Sequence, residues 1–249
     1  FALLDCSGVE PDRRRLALLC QEAESGFVGA RCGIMDQFVV ALGERGRAMK
    51  LDCCSLEFEL IRIPSNLKFL IVHSGVSHRV AKGSYNTRRD ECGAALEKLR
   101  GAEPGLEFLA ELSTDLLDAS TALLDEIEYR RCRHVVTETR RVREAAQALE
   151  RGDSGLLGSL LSQSHESLRD DFEVSCAELD RLVDTAMSCE GVLGSRMMGG
   201  GFGGCTITLL EPGAAEDAAA RIGREYAAFS GKEPWMHIAA DSDAVNRIE

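Results

Sequence analysis

The chain has 249 residues, of which 45% are hydrophobic, and its glycine (24) and proline (5) contents are not those of a fibrous or disordered protein. Its formal net charge of −12 would repel a nucleic-acid backbone or an anionic lipid surface. No apolar run approaches the roughly 18 residues needed to span a bilayer. The composition therefore predicts a soluble protein whose partners include neither nucleic acid nor a membrane.

The ten cysteines are too sparse for a disulfide scaffold in a chain of this length. No Cys-x-x-Cys pair occurs, and Cys53 and Cys54 are adjacent, so their side chains would point to opposite faces of a strand and not share a metal. The cysteines therefore predict reduced thiols in a cytoplasmic protein.

The first part of the chain alternates between helical and strand patterns. Apolar residues at helical spacing predict a helix over residues 14–25, and a second short helix is predicted from Ile34 to Leu42, ended by Gly43. Residues 49–53 and 57–63 are typical of two strands joined by a turn at Cys54 and Ser55. Residues 67–73 form the clearest predicted strand, closed by Ser74 and Gly75.

The second part is mainly helical. Helices are predicted over residues 88–100, 133–151, 156–169 and 177–188, the last with Ser175 as N-cap and Glu178 completing a capping box. Strands are predicted over 205–210 and 235–240, separated by a helix from Pro212 to about Ser230 that Gly231 ends. Strands in both halves with an excess of helix predict an α+β protein.

The first candidate site is the segment around Asp36. This aspartate follows Gly33 by three residues and lies in the opening turn of a helix, among N–H groups without helical partners, so it is expected to stay ionised. Gly33 has no Cβ and lets a ligand approach its backbone. The opposite face of the helix is predicted to be Phe38, Val39 and Leu42. The alternative is that Asp36 only stabilises the helix N-terminus.

The second candidate is a loop of five glycines in six residues: Gly199, Gly200, Gly201, Gly203 and Gly204. They formally satisfy G-x-G-x-x-G, but that fingerprint leaves a strand and opens a helix, whereas these glycines are predicted to follow a helical stretch and lead into a strand. A Walker A loop is excluded, because Cys205 and Thr206 stand where Lys and Ser or Thr are required. Such a density of glycine favours close approach to a ligand over packing alone.

The third candidate is the segment Ser84-Tyr85-Asn86-Thr87-Arg88-Arg89. Tyr85 is predicted at the entry of a helix, where it offers a ring and a hydroxyl, and the arginines bring positive charge to an acidic chain. Taken alone, the segment favours a solvated helix face, with Asp90 and Glu91 beside the arginines.

Other chemistries find less support. No H-x-x-x-H pair and no G-x-S-x-G occurs, which argues against a metal site and a serine hydrolase triad. The acidic pairs Asp170-Asp171 and Asp241/Asp243 are compatible with a cation site or with solvated loops.

Together these segments resemble the galactokinases, members of the GHMP family of small-molecule kinases. The matching stretches, in order and spacing, are FVGARCGIMDQF at 27–38, SYNTRR at 84–89, SHESLRDDFEVS at 164–175 and RMMGGGFGGC at 196–205. The likeness extends over essentially the whole chain.

The resemblance implies a GHMP kinase fold in two domains. Residues 1–65 would be the remainder of an N-terminal domain like domain 2 of ribosomal protein S5, and residues 66–249 a ferredoxin-like C-terminal domain. By the same resemblance Asp36 takes the place of the catalytic aspartate, Gly33 and Tyr85 are substrate-binding residues, and the five glycines are the third family motif, which lines the active site.

The implied reaction moves the γ-phosphoryl group of ATP, with Mg²⁺, to the anomeric hydroxyl of galactose, in a monomeric enzyme. Whether Asp36 acts as a general base or as an electrostatic anchor stays open. The alternatives are a related kinase for N-acetylgalactosamine or arabinose, or a galactose-sensing regulator without turnover.

Two family motifs are missing from these residues. One resembles G-R-V-N-x-I-G-E-H-x-D-Y and grips the sugar, and the other resembles P-x-G-x-G-L-S-S-S-A and cradles the phosphates. Neither occurs here. The chain is therefore expected to be the later portion of a longer enzyme, inactive alone and without a metal ligand of its own.

Overall fold

The computed structural model describes residues 1–27, 29, 31–77, 81–239 and 243–246. These residues form two compact units: the first contains Phe1–Ser65 together with residues 243–246, and the second is Asn66–Ala239. Each unit has a hydrophobic core of its own.

The described residues of the first unit form three helices and a β-hairpin: α1 (Ala2–Cys6), α2 (Arg13–Gly26), α3 (Met35–Leu42), β1 (Arg47–Leu51) and β2 (Phe58–Arg62). The two strands are antiparallel, with Met49 opposite Leu60. Asp52 closes their turn by accepting the N–H of Cys54 at 2.8 Å. Both predicted helices and the predicted hairpin are confirmed, with β1 shifted toward the N-terminus.

The C-terminal end of α3 is tied down by residues from far along the chain. Carbonyl groups in the last turn of a helix have no partner within it. Here the carbonyl of Val40 accepts the N–H of Val245 at 2.9 Å. The Arg13 guanidinium donates to the carbonyls of Ala41 at 2.9 Å and Val245 at 2.7 Å. These bonds fix α3 against α2 within the unit.

The second unit is built on an antiparallel sheet. Its strands are β3 (Lys68–Ser77), β4 (Val192–Met198), β5 (Gly203–Leu210) and β6 (Trp235–Ala239), in the spatial order β4-β5-β3-β6. Helices follow β3 and separate β5 from β6, so the chain has the β-α-β-β-α-β order of a ferredoxin-like domain. The predicted α+β class and ferredoxin-like arrangement are confirmed.

The helices of this unit are α4 (Ala81–Ala102), α5 (Thr114–Ala119), α6 (Glu126–Arg151), α7 (Ser154–Asp170), α8 (Ala177–Met187) and α9 (Ala215–Ser230). Short 3₁₀ turns span Leu109–Glu111, Thr121–Leu123 and Pro212–Ala214. Helices α6 and α9 end at Gly152 and Gly231, both left-handed, as the sequence predicts. Within the described ranges, every helix is too short or too polar to cross a bilayer.

The two faces of the sheet bury different helices. Leu70, Val72 and Leu210 pack against α8 and α9. The opposite face packs on α6 and α7 through contacts that include Leu209 and Leu157. The sheet is therefore covered on both sides. This packing holds β4 and β5 in place, and with them the two ends of the loop that joins these strands.

Helix α7 lies unusually close to β4. A Cβ added at Gly158 would stand 2.1 Å from the carbonyl oxygen of Leu193, and one at Gly194 would stand 2.0 Å from the carbonyl oxygen of Gly158. No side chain fits at either position, so the two glycines set the distance between helix and strand.

The predicted helical stretch before the glycine loop is wrong, because β4 precedes the loop. This strand contains Gly194, Ser195 and two methionines, which carry little intrinsic strand preference. Pairing with β5 overrides that preference. Fully buried Ser195 and Thr208 share a hydrogen bond at 2.8 Å across the two strands.

Two helices begin earlier than predicted. Helix α4 begins at Ala81 rather than Arg88, and α6 begins at Glu126 rather than Arg133. The start of α6 is a capping box: Asp125 accepts the N–H of Glu128 at 2.8 Å, and Glu128 accepts the N–H of Asp125 at 2.9 Å. Asp125 and Glu128, three residues apart, were the sequence signal for this start.

Two further local predictions are corrected. Strand β3 does not close at Ser74 and Gly75 but continues to Ser77 across an irregularity in its register. Ser175 does not cap α8: the N-cap is Cys176, and the Ser175 hydroxyl instead donates to Asp180 at 2.5 Å. A nearby carboxylate thus competes successfully with the helix for this hydroxyl.

Candidate functional site

Asp36 lies in the first turn of α3, as predicted, and its side chain is exposed. The N-cap residue Ile34 provides no side-chain hydrogen bond, so the first N–H groups of the helix are open to a carboxylate or a ligand. Gly33 is exposed too, and a Cβ built there would meet nothing within 4 Å. This turn therefore offers a carboxylate beside accessible backbone.

The buried face of α3 holds that turn in place. Phe38 is fully buried and meets Phe58 edge-on, with ring centroids 6.4 Å apart. Ile34 and Ala41 complete the buried stripe at helical spacing. The predicted placement of Val39 on this face is wrong, because Val39 follows Phe38 by one residue and is rotated away from the stripe, 43% exposed.

Helix α2 fixes the segment that leads into α3. Gln21 donates to the carbonyl of Cys32 at 3.2 Å, just before Gly33. Gln37, in the first turn of α3, donates to Glu24 at 2.7 Å. Bonds on both sides of Gly33 therefore define the conformation in which Asp36 is presented.

Tyr85 lies within α4 rather than at its entry, and it is half-buried. Its ring lies against the glycine loop: a Cβ built on Gly200 would stand 3.6 Å from the Cδ2 atom of Tyr85. The structure thus brings together two of the segments that the sequence singles out.

The glycine loop joins β4 to β5 and needs left-handed backbone along most of its length. The dihedral φ is +79° at Gly199, +83° at Gly201, +122° at Gly203 and +85° at Gly204. A Cβ on Gly199 or Gly204 would meet nothing within 4 Å, so the loop backbone is open at these two positions. Because the loop leads into a strand, the Rossmann reading stays excluded.

Gly201 has the opposite character. A Cβ at this position would stand 2.2 Å from the carbonyl oxygen of Val174. The same carbonyl accepts the N–H of Phe202 at 2.7 Å. Gly201 is therefore needed for packing, whereas Gly199 and Gly204 leave room for a ligand.

Sequence analysis missed the arginines that bind the turn before Val174. Arg131 is 1% exposed and donates to the Asp171 carbonyl at 2.5 Å and to the Glu173 carboxylate at 2.6 Å. Arg88 donates to the Phe172 carbonyl at 2.7 Å. The prediction of a solvated face is wrong for Arg88. The available signal for these ion pairs was the presence of three arginines within four residues, at 130, 131 and 133, in an acidic chain.

Charge pairing shapes the ionisation of this region. Glu173 is bound by Arg131 and Arg130, and the hydrogen bond from Arg131 is the main cause that lowers the pKa of its carboxyl. Burial lowers the pKa of His134 to about 4, and its ring stacks on Phe172 with centroids 4.4 Å apart. At neutral pH the carboxylate is charged and the imidazole neutral.

The members of the two acidic pairs considered above have different surroundings. Asp171 is buried and paired with Arg133, whereas Asp170 is exposed and paired with Arg169. Asp243 pairs with Arg45, and residue 241 lies outside the described residues. In the parts of the chain that the structure describes, no three His, Cys, Asp or Glu side chains cluster as metal ligands would. All ten cysteines lie outside disulfide bonds.

The predicted site residues thus fall into two groups. Gly33 and Asp36 share the start of α3 in the first unit. Tyr85 and the five glycines belong to the second unit, where the ring of Tyr85 borders the loop. The first group supplies a carboxylate and the second an aromatic hydroxyl with open backbone.

Comparisons with known proteins agree on one family. A family model described as GHMP kinases C terminal matches residues 145–228. The chain is 47% identical to the galactokinase of Homo sapiens over 211 residues, 84% of this chain and 53% of that protein. It is 40% identical to the galactokinase of Roseiflexus sp. over 233 residues, 94% of this chain and 60% of that protein.

A solved structure extends the agreement to the fold. Lactococcus lactis galactokinase, crystallised with galactose, matches 99% of this chain with a TM-score of 0.94 at 33% identity, and the match covers 64% of that protein. The chain therefore spans between 53% and 64% of the length of these three relatives.

The chain belongs to the GHMP kinase family and has its α+β fold. Within that family, the relatives described above are galactokinases, and the similarity covers most of the chain. The resemblance drawn from the four sequence segments is confirmed.

Proposed function

We propose that the protein containing this chain is a galactokinase, which transfers the γ-phosphoryl group of ATP to the anomeric hydroxyl of galactose. The observation that carries the proposal is the match of nearly the whole chain to a galactokinase crystallised with galactose. The identities of 40% and 47% to further galactokinases support the same substrate.

Asp36 is assigned to the reacting hydroxyl. Its exposed carboxylate at the start of α3 can accept or orient the proton of a sugar hydroxyl placed beside Gly33. Proton transfer of this kind contributes roughly 10²- to 10⁴-fold to a rate. The assignment covers both roles left open above, base and electrostatic anchor, since each requires the negative charge.

Tyr85 and the glycine loop are assigned to holding the sugar. The half-buried ring of Tyr85 offers an apolar surface and a hydroxyl, and the loop backbone is open at Gly199 and Gly204. Phosphoryl transfer depends mainly on positioning and charge stabilisation, so a fixed loop that lets the substrate approach closely suits this chemistry.

ATP and Mg²⁺ are assigned as co-substrate and cofactor on the basis of the family. When bound, the metal would neutralise phosphate charge during transfer. The described residues do not fit it, since they contain no cluster of metal-ligating side chains. No metal-binding role is therefore assigned to a residue of this chain.

The proposal is tested by ADP release from ATP and Mg²⁺ with the full protein that contains this chain, with and without galactose. Asp36→Asn should lower galactose-dependent release by at least about 10²-fold. The matched control is Asp115→Asn, also an exposed aspartate in the first turn of a helix, α5, and it should leave the rate unchanged. Absence of galactose-dependent release, or full activity of Asp36→Asn, would refute the proposal.

The same assay separates the alternatives. Faster turnover of N-acetylgalactosamine or arabinose would indicate a related sugar kinase, and galactose binding without ADP release would indicate a sensor. The comparisons do not favour either alternative. We further infer a monomer in the cytoplasm, where ten cysteines outside disulfide bonds would stay reduced.

A further inference from the structure

The turn that follows α7 is held at each of its carbonyl groups by arginines from other helices. The donations are Arg130 to Asp170 at 3.0 Å, Arg131 to Asp171 at 2.5 Å, Arg88 to Phe172 at 2.7 Å and Arg88 to Glu173 at 3.3 Å. We call Arg88, Arg130 and Arg131 the arginine clamp. Four successive carbonyls bound in this way leave the turn little freedom.

Two carboxylates, Glu91 and Glu173, offset two of the three positive charges of the clamp and fix its geometry. Glu91 accepts from Arg88 at 2.9 Å and from Arg131 at 2.6 Å. Glu173 accepts from Arg131 at 2.6 Å and from Arg130 at 3.0 Å. Arg131 is almost fully buried, and its guanidinium group binds Glu91, Glu173 and the carbonyl of Asp171. Removing any of these partners would leave a buried charge incompletely paired.

The clamp holds a backbone conformation that a free chain would avoid. Glu173 has φ of +53°, which is uncommon for a residue with a Cβ and persists only where the surroundings determine it. The next residue is Val174, whose carbonyl accepts the N–H of Phe202 and touches Gly201. The clamp is therefore connected to the glycine loop through Val174, the residue that follows the clamped turn.

The clamp also reaches the helix that carries Tyr85. Arg88 follows Tyr85 by three residues on α4, so the two side chains lie on the same side of the helix. Arg88 binds the turn before Val174, and Tyr85 borders Gly200. One set of ion pairs thus links both elements that are assigned to the sugar.

We propose that Arg88 and Arg131 are positioning residues: they hold the Val174 carbonyl against the glycine loop and thereby set the loop relative to Tyr85. The catalytic consequence rests on the proposed function, whereas the structural consequence does not. Neither arginine is assigned a contact with substrate.

The test compares three single variants in the full protein: Arg88→Lys, Arg131→Lys and the control Arg140→Lys. Lysine keeps the charge but cannot make several directed donations at once. Arg140 lies on the same helix as Arg131, but it is exposed and pairs with Glu144 on its own helix. Hydrogen exchange of the Phe202 amide reports the loop directly, and KM for galactose and kcat report its consequence.

We expect Phe202 exchange to accelerate about tenfold or more in both clamp variants, through local opening of the loop. We expect kcat to fall about tenfold or more, because a small misplacement of catalytic groups is costly. Arg140→Lys should change neither. If Arg131→Lys fails to fold, Arg88→Lys decides the matter, because Arg88 is less buried.

The outcomes keep this inference separate from the proposed function. Unchanged Phe202 exchange in folded Arg88→Lys would overturn it, whatever the activity. Faster exchange with unchanged kcat and KM would overturn the positioning role in catalysis. Faster exchange in a protein that never phosphorylates galactose would uphold the link from clamp to loop and refute the kinase assignment alone.

Discussion

The backbone N–H of Phe202 donates to the carbonyl oxygen of Val174 at 2.7 Å, and this bond fixes the middle of the glycine loop. At Gly201 the loop packs against the carbonyl so tightly that no side chain fits. At Gly199 and Gly204 the backbone faces open space. The loop is therefore fixed in its middle and accessible near both ends.

Gly201→Ala should destabilise the protein by about 2 kcal/mol or more, because the new methyl group would overlap Val174 and the left-handed backbone disfavours alanine. Gly200→Ala is the matched control. Its Cβ would make an ordinary contact with Tyr85 at 3.6 Å, so a change within about 0.5 kcal/mol is expected. Urea unfolding measures both, and equal losses would contradict the packing role of Gly201.

Alanine substitutions at two glycines of α7 should change the stability of the protein in opposite directions. Gly158→Ala would force a methyl group into the Leu193 backbone and should cost about 2 kcal/mol or more. Gly155→Ala, whose nearest neighbour would stand 3.7 Å away, should stabilise the helix by about 0.5 kcal/mol. Thermal unfolding of the two variants checks the sign, and a tolerated Gly158→Ala would refute the close contact of α7 with β4.

His134 should make stability depend on pH between about 4 and 6.5. Burial lowers its pKa in the folded protein to about 4, so the unfolded state binds more protons in this range. The contribution, on the order of 3 kcal/mol, is complete above pH 6.5 and is lost as the pH falls toward 4. Unfolding free energies measured across this range should fall less steeply in His134→Gln. A slope in His134→Gln identical to that of the parent protein would contradict the assignment.

Glu138→Gln should destabilise the protein by on the order of 2 to 3 kcal/mol. Burial would raise the pKa of this carboxyl, but hydrogen bonds from Ser164 and Arg141 and the charge of Arg196 lower it overall. Removing the charge leaves two largely buried arginines without their partner. Glu144→Gln, on the same helix but in an exposed pair, should cost less than about 0.5 kcal/mol. Chemical denaturation compares the two, and equal small effects would show that the ion pairs are screened.

Local signals were enough to predict much of the fold. The glycines that end α6 and α9, and the aspartate in the first turn of α3, act through backbone geometry within a few residues, which a sequence displays directly. The strong apolar run of β3 was predicted for the same reason, although its continuation past Gly75 was not.

The features that were missed depend on partners distant in sequence. Strand β4 exists because β5 pairs with it, and its own residues do not favour a strand. Arg131 and Glu173 are separated by 42 positions, so no local pattern shows that one binds the other. The positive φ of Glu173 is equally invisible in the sequence.

The most direct test of the kinase assignment is to identify the product formed by the full protein from galactose, ATP and Mg²⁺. Phosphorus NMR should show one phosphate ester at the anomeric carbon of galactose, and its rate of formation should fall at least about 10²-fold in Asp36→Asn but not in Asp115→Asn. A phosphate on another hydroxyl, or an undiminished signal in Asp36→Asn, would contradict the account.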